Sequence, residues 1–466
     1  MTRLALLLAG ALLLGAGCSV WRDAAPAKKH PADRGSAVPK RTHRVEARRV
    51  QVTVVDGDTN ARVAGARVTI GARTGRTNAD GVAAVSLAHP AALVTTAAKP
   101  GYGERSIRLP FRTNRRSTIR IYRAALQWPV YGADPSRDQT HSAIKVRPPF
   151  RVVWSRGLGG LIEFPAVVAD GVAYIGNAQG TIRALSMSDG SVAWRHDTPN
   201  GKMASSPAIV GDQLIVHGMD GHVWALDRSA GHLLWHYDVG SPVESSPVVV
   251  DGLDLFGDWS GTITALDVAT HRVRWRRYDG CKITSSAAVV AGVMYIGDYC
   301  GRVLALRVQT GALLWSQAVG GRVYGTPAVA AGRVFVPSST AGTLTAFTTG
   351  GRYLWTRATG AYVYSSPAAA GGRVFFGSYN GLLYALSAST GGTLWTRSTG
   401  GPVSGAVVVV DGVVYAGSFA HRILGADVRS GSVLVDFPHG EYVPVSGGGT
   451  RLLLHGYSRI YAVVGR

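Results

Sequence analysis

Among the 466 residues of this chain, the side chains equipped for chemistry are three cysteines, a handful of carboxylates and a set of large aromatics. Glu244, Asp258, Asp298 and Glu441 offer acids, Arg322 a fixed cation, and Trp259, Tyr299, Tyr324, Tyr364 and Tyr379 broad faces with polar tips. Carboxylates of this kind can hold calcium or act as bases, whereas aromatics with polar tips grip peptides and glycans. Nothing in the spacing of the acids demands catalysis, and Cys281 and Cys300 without a nearby histidine do not make a zinc site. Taken singly, each candidate reads as a turn or cap residue. They become a site only if the fold gathers them.

The elements that would gather them are set by a period. Trp154, Trp194, Trp235, Trp275, Trp315, Trp355 and Trp395 recur every 40 or 41 residues, with Val435 in the next slot. Each unit repeats a Ser-Ser-Pro-like start, an apolar run, a turn, a Val-x-Tyr-x-Gly-like run, a glycine turn, an Ala-Leu run and a closing Trp. Four short strands in about 40 residues make one propeller blade. The first turn recurs at Gly171, Asp212, Gly252, Gly292, Gly332, Gly372, Gly412 and Gly448, which predicts eight blades. The last unit lacks its outer strand, and residues 151–155, carrying Trp154, supply it and close the ring. The expected fold is all-β, an eight-bladed β-propeller over residues 126–466, with the tryptophans structural.

In such a blade, the loop leading into the inner strand and the turn between the second and third strands share one face. Ile162, Glu244, Thr284, Tyr324, Tyr364 and Glu441 fall in the first position, with Lys282 and Arg322 two residues earlier. Asp258, Trp259, Asp298, Tyr299, Tyr379, Asn177 and Phe419 fall in the second. The candidate binding site is the funnel they would rim. Cys281 and Cys300 lie on this same face of the fourth blade, so a disulfide is expected; closing a loop of about 20 residues stabilises by about 3 kcal/mol. Two separate buried thiols are the alternative.

The Ala-Leu runs Ala184-Leu185, Ala225-Leu226, Ala265-Leu266, Ala305-Leu306 and Ala385-Leu386, with the Gly-x-x-x-Trp ends, resemble the quinoprotein-type repeat. In that family Ala, Gly and Trp at this spacing dock neighbouring blades. His271 in a glycine slot and Gly425 with Val435 depart from the pattern, which implies weaker docking there. The resemblance implies two functions. Dehydrogenases that use pyrroloquinoline quinone (PQQ) carry an Asp base, a calcium ion, a quinone-contacting Arg and often adjacent cysteines. This chain has no adjacent cysteine pair, and its short blades lack pocket-building insertions. BamB-like lipoproteins instead join a lipid anchor to eight such blades as assembly scaffolds. A non-catalytic interaction propeller without cofactor is the expectation; a membrane-tethered dehydrogenase of alcohols or sugars with PQQ and calcium is the alternative.

The N-terminus bears on location. After Arg3, the apolar run 4–17 is too short to span a bilayer and reads as an export signal. It ends in Leu14-Gly15-Ala16-Gly17-Cys18, which resembles a bacterial lipobox and implies a diacylglyceryl group on Cys18; cleavage at the small residues Gly15 and Gly17 is the alternative. Residues 18–49 read as a basic tether. Residues 50–125 read as a small β-sandwich. Their segments Val63-Ala64-Gly65-Ala66, Asn78-Ala79-Asp80-Gly81 and Lys99-Pro100-Gly101-Tyr102 resemble the carboxypeptidase regulatory-like domain. Of the net charge of +21, the first 125 residues hold +15. The basicity therefore suits an anionic membrane or cell-wall polymer, and with no groove-reading module it argues against nucleic acid. A monomer on the extracytoplasmic face of the cell membrane, with a protein or cell-wall partner, is expected.

Overall fold

The computed structural model describes residues 47–89, 91–111, 115–199 and 202–466. The export signal, Cys18 and residues 18–46 of the tether lie outside them. Among the described residues no helix is long and apolar enough to cross a membrane. The chain from Ala47 to Arg466 is one compact, almost wholly β unit.

Residues 48–121 form two sheets. Val82–Leu87, Arg48–Asp56 and Arg116–Ile121 make one, with the last pair parallel; Arg73–Arg76, Arg67–Ile70, Ala92–Ala98 and Arg105–Pro110 make the other. Alternation drives the pairing: Val50, Val52 and Val54 point inward, with Val68, Ile70, Ala83 and Val85, into a shared core, while Gln51, Thr53, Thr69 and Ala84 between them face outward.

Eight consecutive sheets follow, at residues 167–197, 208–238, 249–278, 288–318, 328–358, 368–398, 408–438 and 440–465. We number them sheets 1 to 8 and call each sheet's first strand its inner strand. Each runs its strands antiparallel in chain order, and Phe150–Gly157 completes sheet 8 by pairing with its last strand. Every third strand carries a register shift, and in seven of the eight sheets the alanine beside it stands opposite the tryptophan, as in Ala184 with Trp194 and Ala305 with Trp315; in sheet 7 Gly425 stands opposite Val435. A small side chain is needed there because the indole lies across it.

Six joints between sheets share one geometry. Trp154, Trp194, Trp275, Trp315, Trp355 and Trp395 donate their indole N–H to a carbonyl of the next sheet, at 2.7–3.4 Å. Each indole lies against a glycine of that sheet in the left-handed region, such as Gly311 (φ 68°), where a Cβ would come within 2.6 Å of the ring. The two departures solve the contact differently. His271 takes φ 58° itself and stacks on Trp235 at 4.5 Å. At the joint between sheets 7 and 8, Val435 replaces the indole, and Phe150 on Tyr415, Phe437 on Tyr461 and the Arg147–Asp427 ion pair hold the seam.

The connection from the small module to the propeller does not run outside the ring. Residues 128–139 pass round the inside of the bore, and their carbonyls accept hydrogen bonds from the inner strands. Ile209 N–H donates to Pro129, Val289 to Pro135, Val329 to Ser136, Ala369 to Asp138 and Val409 to Gln139, at 2.7–3.0 Å. Ala133, Arg137 and Gln139 hold positive φ angles of 74°, 56° and 56°, a conformation non-glycine residues keep only where their surroundings fix it. Arg137 is fully buried, and its guanidinium donates to the carbonyls of Ala287, Ser246, Pro247 and Tyr131. Burial pushes it down to about 10. Thr140–His141 then adds a parallel fifth strand to sheet 7.

The module itself seats on the first-hairpin turns of sheets 1 and 8. Tyr122 covers Gly171, and Asp58 lies against Gly449. Asp58 Oδ2 is buried without a hydrogen-bond partner, and burial together with the Asp56 charge pushes Asp58 up to about 6.

Candidate functional site

With the plug in the bore, the opposite face is a closed cup. Its cavity, about 180 Å³, is floored by Tyr131 of the plug and walled by the loops leading into the inner strands. Those loops are held rigidly by their own serines. Ser206, Ser246, Ser286 and Ser366 form hydroxyl-to-backbone links from sheet to sheet, as in Ser246 Oγ accepting from Ser206 N–H at 3.0 Å. The Ser-Ser-Pro starts of the repeat are therefore the frame of the cup, and the residue just before each is free to vary.

Around the mouth runs an unbroken aromatic arc. Tyr299 meets Tyr324 at 4.6 Å, Tyr324 meets Tyr364 at 4.9 Å, and Tyr364 meets Tyr379 at 4.9 Å. Phe419 then follows Tyr379 at 5.9 Å, and Tyr442 follows Phe419 at 5.5 Å. The arc thus joins sheets 4 to 8. Edge and tilted contacts of this kind fix the rings in place.

Carboxylates hold the rest of the rim. Glu163 and Glu244 line the cavity from sheets 1 and 3. Burial raises both, and for Glu163 the charge of Glu244 adds to it. Trp259 donates its indole N–H to Glu244 at 3.0 Å, and Lys282 Nζ sits 3.3 Å from the centre of the Trp259 ring and 5.0 Å from that of Tyr299. Arg322 lies over the Tyr299 ring at 5.6 Å from its centre.

Not every residue expected at the funnel joins it. Asp258 and Asp298 are buried and turned into their own turns: Asp258 accepts from Ser260 and Thr262 N–H, and Asp298 from Arg302 N–H and its guanidinium. They shape the second turns and do not face the cavity. Glu441 sits beside His421 at 3.4 Å, and its neighbour Tyr442 takes the cavity position. The same slip of one residue occurs in sheet 1, where Ile162 is buried and Glu163 faces the cup. Cys281 and Cys300 are joined as a disulfide, with Cα atoms 5.8 Å apart, and tie the sheet 4 turn to its incoming loop.

Tyr131, Phe164, Glu163 and Tyr442 are cavity residues that periodicity missed. Aligning the prolines Pro165 and Pro444 one residue differently would have found Glu163 and Tyr442. Tyr131 carried no signal, because nothing in residues 126–149 repeats.

The quinone implied by the repeat does not fit these residues. The cavity is below the roughly 300–1,000 Å³ of sites that enclose a drug-sized molecule. PQQ is a tricarboxylate, yet the lining includes two glutamates and no Lys or Arg. Among the described residues no group of three His, Cys, Asp or Glu could hold a metal ion.

Residues 151–278, 259–362 and 340–457 match the family described as outer membrane protein assembly factor BamB. BamB of Yersinia pestis is 35% identical over 89 residues, which cover 18% of this chain and 23% of that relative; the match thus spans under a quarter of the relative's length. BamB from Moraxella catarrhalis superposes with a TM-score of 0.59 at 19% identity, covering 68% of this chain and 99% of that one. The quinohemoprotein alcohol dehydrogenase of Comamonas testosteroni superposes at 0.63 with 15% identity, covering 73% and 81%. At these identities the superpositions speak for the β-propeller fold alone.

Proposed function

Because the chain belongs to the BamB family of repeat propellers, we propose that it is a non-catalytic interaction scaffold whose eight blades present the axial cup to a protein partner. A lipid on Cys18 holds it on the extracytoplasmic face of the membrane, where a glycan of the cell wall is a second class of ligand for the same rim. The observation that carries this reading is the aromatic arc from Tyr299 to Tyr442. Six rings in mutual contact across five sheets are more than any turn needs, and rigid aromatics are what binding surfaces use at their energetic centres. The name of the matching family, an assembly factor, and the poor fit of a tricarboxylate quinone both favour binding over redox chemistry. The regulatory-like module, rich in exposed arginine, is a spacer that also meets anionic polymer or headgroups.

A photo-crosslinking side chain at Tyr364 and a control at Tyr353, exposed on an outer strand, test the reading in native cells. One discrete protein adduct from position 364 and none from 353 is expected. Stoichiometric uptake of PQQ with calcium, accompanied by dye-linked turnover of an alcohol or sugar, would overturn it. Cys18→Ser is expected to move the protein from the membrane fraction to the soluble one.

A further inference from the structure

The composition of the cup selects one kind of guest. Glu163 and Glu244 share a cavity that no Lys or Arg lines, and three rings of the arc, Tyr324, Tyr364 and Tyr442, face the same space. Two acids held close in a partly dry site repel each other, and each is stabilised by an incoming cation. Ring faces attract cations as well. The molecule already contains this pairing once, at the outer corner of the cup. There the Lys282 ammonium lies on Trp259, and Trp259 in turn donates to Glu244. Deeper in, the same ingredients recur without the ammonium. The cavity, about 180 Å³, has room for one side-chain head and not for a polymer.

We infer that the cup is a socket for a single ammonium or guanidinium group, so that the protein partner enters by an exposed lysine or arginine clasped between Glu163, Glu244 and the tyrosines. The inference rests on the cup being the partner-binding face. It assigns Glu163 and Glu244 the charge recognition, Tyr324 and Tyr364 the aromatic walls, and Lys282 the role of an internal competitor whose charge tempers Glu244.

The test uses the full chain purified in detergent and end-capped tripeptides Gly-X-Gly with X as Lys, Arg, Met or Glu, read by saturation-transfer NMR. The Lys and Arg probes are expected to bind about tenfold more tightly than the Met probe, and the Glu probe not at all. The double variant Glu163→Gln, Glu244→Gln keeps shape and is expected to weaken the Lys probe about tenfold. Tyr364→Leu weakens it about threefold, whereas Lys282→Met strengthens it by about the same factor, which a merely structural lysine would not do. Equal binding of the Met and Lys probes, no binding of any probe, or an unchanged Lys affinity in the double glutamine variant would each overturn the socket. Crosslinking at position 364 separates the two failures. An adduct without probe binding leaves the cup as a partner face and removes the socket; probe binding without an adduct keeps the socket and removes the protein partner.

Discussion

The two ends of the propeller axis are built on opposite terms. At one end the chain fills its own bore: residues 128–139 satisfy inner-strand N–H groups of six sheets, Arg137 binds four carbonyls, and the small module covers the turns of sheets 1 and 8. At the other end the chain withholds itself, leaving tyrosines and glutamates round an open cavity. The plug's carbonyls and the Arg137 guanidinium are hydrogen-bonded to the protein and serve stability, while Asp58 Oδ2 and the Gln139 amide are buried there without a partner. The open end keeps side chains whose best partners are not in the molecule, which is the mark of a surface kept for binding.

Four measurements would break or sharpen that contrast, beginning with the plug. Arg137→Met leaves four buried carbonyls without a donor and is expected to lower stability by about 4 kcal/mol or more, read as a large drop in the urea midpoint. A shift under about 1 kcal/mol would mean that the plug is passive filling. Removing the cup-side disulfide with Cys281→Ser and Cys300→Ser together is expected to cost about 3 kcal/mol by relaxing the unfolded chain, with the arc unchanged in ring NMR contacts.

Asp58, at the covered end, supplies a pH signature. Its folded value of about 6 exceeds the ordinary 3.8, so the folded state binds the extra proton in between, and stability falls as pH rises from about 4 to about 6. Its neighbours Asp56 and Asp170 sharpen the effect, and Arg123 and Arg451 soften it. Asp58→Asn is expected to flatten this slope and add about 1–2 kcal/mol at pH 7, after allowance for solvent screening. A retained slope in thermal scans would place the titration elsewhere. The smallest stability effect belongs to the cup: Tyr364→Leu is expected to change stability by less than about 1 kcal/mol while lowering about threefold the yield of partner adduct from a photo-crosslinking side chain placed at Tyr379. A large loss of stability there would show the arc to be core.

Much of the fold was legible because a repeat prints its geometry in its period. The 40-residue spacing, the glycine under six of the seven indoles, the alanine opposite each, and the outer strand from residues 151–155 all belong to local packing that sequence records. The candidate site was legible in part. The repeat slots led to Glu244, Tyr324 and Tyr364, but slipped by one residue at sheets 1 and 8, where ring closure changes the loops and puts Glu163 and Tyr442 on the cavity. Asp258 and Asp298 have the residue type of a site and the environment of a turn, and only their donors, Thr262 N–H for one and Arg302 for the other, tell which.

The sequence by itself determined that the fold is all-β, that tryptophans recur once per sheet, and that one face would gather aromatics and acids. Residue type and spacing suffice for these because strand alternation and turn chemistry act over a few residues. Only the tertiary structure decided that residues 128–139 thread the bore, that Tyr131 floors the cavity, and that Lys282 lies on a ring beside Glu244. Those contacts join residues from 23 to over 200 positions apart, and no local preference encodes which distant carbonyl an arginine will meet once the ring has closed around it.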